Sequence, residues 1–134
     1  MSSAVFEILK KFRDGDEELA FYELLELPGT LLPELIGGFH AESEPQIRAL
    51  LVKVAWERKE DGVIPFLSEA LTIADELVWQ QALDGLVAFA SEEVRQILLT
   101  AKDRKFADEA LMNRFGLWLE EAIQQVDFQL RAKT

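Results

Sequence analysis

Few residues in this sequence combine type and spacing in a way that could do chemistry. His40 is the only histidine and cysteine is absent. That excludes thiolate metal sites, HExxH-type pairs and a Cys–His nucleophile. A Ser–His–Asp array would have to use His40, and no serine sits in a GxSxG elbow. The glycines form neither GxGxxG nor GxxxxGK, so no phosphate cradle is signalled. What remains are adjacent acids that could serve as general acid and base: Glu17-Glu18, Glu92-Glu93, Asp108-Glu109 and Glu120-Glu121. Most of them fall in first helical turns, where a carboxylate complements the helix dipole. A structural role therefore accounts for them. The expectation is a non-catalytic protein without metal or cofactor, with His40 a solvated turn residue after Phe39.

The elements that would position any site emerge from an internal repeat. Shifted by 32 residues, Leu31, Leu32, Pro33, Leu35 and Phe39 fall on Val63, Ile64, Pro65, Leu67 and Leu71. Glu44, Ile47, Leu50, Leu51, Val54 and Ala55 fall on Glu76, Trp79, Ala82, Leu83, Leu86 and Val87. Self-similarity at a period of about 20 to 50 residues marks a repeat architecture. Apolar spacing predicts helices over 3–13 and 16–27, then 30–39 and 45–58, then 62–73 and 75–90. A degraded third copy places Val94, Ile97, Leu98 and Ala101 on Val63, Phe66, Leu67 and Ala70. Its second helix is predicted from about Lys105 to Ala132. Thr30, Ser43 and Asp75 are the expected helix caps. The reading is a single all-α domain over 1–134: an N-terminal helix pair (1–29), two clear repeats (30–60 and 61–90) and an atypical capping repeat (91–134).

Composition narrows the partner. The formal net charge is −11. Between Asp14 and Ile47 no Lys or Arg interrupts the acids, and the same holds between Glu60 and Val94. A field of this sign repels phosphate backbones and attracts basic proteins; an acidic surface also serves plain solubility. No apolar run approaches the roughly 18 residues of a membrane span. No secretory signal is visible at the N-terminus, and the lack of cysteine suits a reducing compartment, so a cytoplasmic location is expected.

Helix pairs of this length, with Pro33 and Pro65 in the first helix and Ser43-Glu44-Pro45-Gln46 opening the second, resemble the short HEAT-repeat class. Arg48 directly after Ile47 matches the Val–Arg pair of many such units, although its counterpart in the next copy is Gln80. The resemblance implies a right-handed α–α superhelix of about four helix pairs, with the second helices lining a concave side. It further implies a protein-binding role. One candidate is an immunity protein that covers the cationic active or substrate-binding surface of a basic antibacterial toxin, monomeric when free. Another is an adaptor or assembly factor related to the lyase-like branch of short HEAT proteins.

Helical geometry then selects a surface. At about 100° per residue, Trp56 lies opposite Ile47, and Val52 shares its arc. One period on, the same arc carries Gln81 and Asp84, and in the third copy Glu109, Asn113 and Glu120. The helix over 16–27 adds Asp16, Glu17, Glu23 and Glu26 as an acidic edge; with Glu23 and Glu26 from it, these are the expected partner-binding residues, Trp56 being the anchor unless the N-terminal helices cover it. Trp79 and Trp118 fall on the core arc and are expected to be packing.

Overall fold

The computed structural model describes residues 3–133. It contains eight α-helices: α1 (Ser3–Arg13), α2 (Glu17–Glu26), α3 (Leu32–Ala41), α4 (Pro45–Arg58), α5 (Val63–Leu71), α6 (Glu76–Phe89), α7 (Glu92–Ala101) and α8 (Glu109–Ala132). No strand occurs among the described residues. Consecutive helices pack as pairs, α1 with α2, α3 with α4, α5 with α6 and α7 with α8. The even-numbered helices also pack in succession, α2 on α4, α4 on α6 and α6 on α8, so they form one continuous row.

The repeat seen in the sequence is a repeat of burial. Leu35 and Leu67 are both fully buried, as are Val54 and Leu86. Ile47 is matched by Trp79, a far larger side chain that is equally inaccessible. The neighbouring exchange of Leu50 for Ala82 offsets that extra volume. Close-packed interiors tolerate substitutions that conserve total volume. The Trp79 ring meets Phe115 edge-on, with centroids 5.0 Å apart, which ties α6 to α8.

Helix ends are held by side chains from distant positions. Thr30, Ser43 and Asp75 make no capping bond. Leu31, Glu44 and Asp75 occupy the cap positions of α3, α4 and α6 without side-chain hydrogen bonds. Instead the Glu60 carboxylate accepts from the Leu31 and Leu32 amides at 2.9 and 2.8 Å, capping α3 from one repeat away. Its partner Arg58 donates to the carbonyls of Leu24, Leu25, Leu27 and Gly29, closing α2. The Arg58 and Glu60 side chains are only 8% and 15% exposed, and they join at 2.7 Å. Arg104 repeats the device by donating to Leu71, Thr72 and Ile73 at the end of α5. α8 begins at Glu109, later than the spacing predicts, with Asp108 accepting from the Leu111 amide. α4 and α6 both stop at a left-handed residue that is not glycine, Lys59 at φ 56° and Ala90 at φ 39°.

Two expectations on α4 are corrected. Val52 is fully buried rather than exposed. Trp56 is half-buried, and its ring occupies the space beside Gly85 on α6, where an added Cβ would lie 2.7–2.9 Å from three of its atoms. Val52 lies one turn before Trp56 and shares that flank. The Val52–Trp56 flank of the arc opposite Ile47 is thus covered by α6, whereas Ala49 and Lys53 of the same arc border an open hollow. The buried residues of α4 occupy more than half of its circumference, since it packs against helices on several sides.

Two outcomes follow. Gly85→Ala will destabilise the fold by about 1–3 kcal/mol, because α4 and α6 must part to admit the methyl group. In a Trp56→Ala background the same substitution will cost less, because two of the three crowding atoms are gone and only the residue 56 Cβ remains at 2.9 Å; an unchanged cost in urea melts would show that the Trp56 ring is not the obstacle. Desolvation pushes the Glu60 carboxyl up, but the Arg58 bond, the Leu31 and Leu32 amides and the Arg58 charge outweigh it and hold it below its ordinary 4.5. A depressed acid stabilises the fold above its unfolded value and loses that contribution as pH falls through its folded value. Glu60→Gln will therefore lower stability by about 1–2 kcal/mol near pH 7, and the gap will close below pH 4.5.

Candidate functional site

The largest feature of the even-numbered row is an open trough of about 490 Å³. Its floor is a stripe on α4, namely Gln46, Ala49, Leu50 and Lys53, at the i, i+3, i+4, i+7 spacing of one helix face. One wall is the face of α2 carrying Glu17, Glu18, Phe21 and Tyr22, with Phe12 of α1 behind it. The other wall is Leu77 and Gln81 of α6. Tyr22 and Leu77 stand 51% and 46% exposed, far above the usual level for large apolar side chains. Further along α6, Asp84 opens onto a smaller hollow of about 170 Å³ between α6 and α8, lined also by Trp118, Glu121 and Gln125.

Charge in this face is unbalanced. Glu17, Glu18, Asp84 and Glu121 meet a single cation, Lys53, among the residues lining the two hollows. The Lys53 ammonium sits 4.6 Å from the centroid of the Phe21 ring, a cation–π contact that holds it against the α2 wall. Loss of hydration raises the Asp84 carboxyl above its ordinary value, and attraction to Lys53 only partly opposes this. Among the described residues no group of three or more His, Asp or Glu could hold a metal ion. His40 ends α3 rather than lying in a loop, and its Nε2 lies 2.6 Å from Glu69 of α5.

The structure brings together only some of the expected residues. Gln81 lines the trough, where its Oε1 accepts from Trp56 Nε1 at 3.3 Å, and Asp84 lines the adjoining hollow. Glu23 faces α1 instead, accepting from Lys11 at 2.8 Å, and Glu26 is exposed but outside the trough. Glu109, Asn113 and Glu120 are exposed on a side of α8 away from both hollows. The cause is a rotation of the last helix. By the 32-residue shift Trp118 would take the place of fully buried Leu86, yet it is 39% exposed. α8 buries Phe115, Leu119, Ala122, Ile123 and Val126 against its neighbours and turns Trp118 toward the hollow.

Of the acidic edge on α2, Glu17 does line the trough. Spacing passed over Glu18, and over Tyr22, whose place among Leu19, Leu24 and Leu25 reads as an inward side chain; the signal was that Leu19, Tyr22 and Leu25 exceed what one buried stripe on α2 can use.

The chain matches no known family, curated protein or solved structure. Its helices offer no membrane-spanning segment either, none of those described being long and apolar enough.

The raised Asp84 carboxyl has a consequence that can be measured. An acid whose folded value is raised weakens the fold at pH values above it, and the penalty fades as pH falls toward the unfolded value. Asp84→Asn will stabilise the free protein at pH 7 by up to about 0.5 kcal/mol. The gain will vanish near pH 3.8 in urea melts.

Proposed function

We propose that this chain is a HEAT-like α-solenoid acting as a non-catalytic binding module for a basic protein. The observation that carries the reading is the trough on the even-numbered helices, where Tyr22 and Leu77 stand exposed among acids, together with the adjoining hollow that exposes Trp118. Aromatic anchors within a charged rim are the usual composition of a protein-binding hot spot. The net charge of −11 extends the attraction beyond the contact surface. The narrower reading is an immunity protein in the cytoplasm, which neutralises a cationic antibacterial toxin by covering its active or substrate-binding surface. It rests on the resemblance of the repeats together with this acidic face.

The test begins with co-production of the chain and each basic protein encoded beside it. Restored growth of cells making an otherwise toxic neighbour supports the immunity reading, and no effect on any of them removes it. With the purified pair, stopped-flow association will slow by about tenfold or more between about 50 and 500 mM NaCl. An on-rate indifferent to salt would remove the electrostatic basis of the proposal.

A further inference from the structure

We infer that the trough seats a single α-helix of the partner, amphipathic and flanked by Lys or Arg. This rests on the protein-binding reading above and adds what is bound and how. α2 and α6 both pack against α4. At the usual interaxial distance of about 8–10 Å, two helices flanking a third leave a nest above it into which another helix, about 10 Å across, can settle. The α4 floor presents the small Ala49 and the apolar Leu50 between Gln46 and Lys53. That stripe is about 10 Å long at 1.5 Å per residue, the length of two helical turns. A peptide binding by strand addition would need a free strand edge to pair with, and the described residues contain no strand.

Charge selects the kind of helix. Apolar residues at i, i+3 and i+7 of the guest would meet Tyr22, Leu50 and Leu77. Cationic residues near one end would face Glu17 and Glu18, and those near the other would face Asp84 and Glu121. Lys53 does not satisfy these acids, being drawn over the Phe21 ring. A second copy of this chain is disfavoured as the occupant, since each copy carries a net charge of −11.

The experiment is selection from a displayed library of single amphipathic helices in which apolar, acidic and basic residues vary freely. The expected result is enrichment of helices with one apolar stripe flanked by Lys and Arg. Glu17→Lys combined with Glu18→Lys will weaken the enriched helices by about tenfold or more, and Tyr22→Ala or Leu77→Ala will do so by a similar factor. Circular dichroism will show these exposed substitutions to be folded. Leu117→Ala, at an exposed α8 residue that lines neither hollow, will leave binding unchanged, and amide shifts will map to α2, α4 and α6. Absence of enrichment, enriched helices without a basic bias, indifference to the Glu17 and Glu18 changes, or dependence on Leu117 would each overturn the inference. A native partner that still binds the doubly lysine-substituted protein would end this inference while leaving the protein-binding reading intact. Absence of any protein partner would end both.

Discussion

The geometry of the whole trough depends on one guanidinium. The chain between α2 and α3 contains Pro28 and Gly29 and has no regular backbone bonding of its own. Arg58 reaches into it from the end of α4 and takes four carbonyls, while Glu60 takes the first amides of α3. Left without these partners, each buried backbone group would cost about 1–3 kcal/mol. A guanidinium suits the task because it is planar, permanently charged and rich in donors. Through this node the N-terminal pair is fixed to the first repeat, and the α2 wall is held at the edge of the α4 floor.

The same logic recurs at the far side of the stack. Arg104 gathers the last carbonyls of α5 and lies 4.1 Å from the centroid of the Phe106 ring, which in turn packs against Phe115 of α8. Burial lowers the Arg104 pKa. Both arginines act on a helix end roughly one repeat earlier in sequence. Adjacent units are thus joined by polar bridges as well as by apolar packing, and a shift of one unit against the next would break both.

The sequence revealed the helices and their pairing well, because apolar periodicity and a 32-residue correspondence are local properties of the chain. Leu35 with Leu67 and Val54 with Leu86 are buried as that correspondence requires. Orientation about a helix axis was less legible. Trp56 and Val52 lie opposite Ile47, but a helix in the middle of a row is covered on several sides, so opposite the core did not mean exposed. Trp118 followed the repeat in sequence and departed from it in space, since α8 buries a different stripe, Phe115, Leu119, Ala122, Ile123 and Val126. The caps escaped notice for a related reason. Glu60 and Arg58 act across about thirty positions, beyond any window in which Thr30 or Ser43 is judged. Of the candidate site, Gln81 and Asp84 were found from spacing and Glu17 from the acidic edge of α2, whereas Tyr22 and Glu18 required the meeting of α2, α4 and α6.

The left-handed stops at Lys59 and Ala90 carry a consequence for how the chain becomes ordered. An L-residue held at positive φ costs about 1 kcal/mol or more relative to glycine, so these bends are not what the local residues prefer. They are imposed by neighbours on either side, Lys59 between Arg58 and Glu60 and Ala90 in the core beside α6. An excised helix pair would lack the surroundings that enforce its own bend. Order in this protein is therefore a collective property, gained and surrendered by several units together.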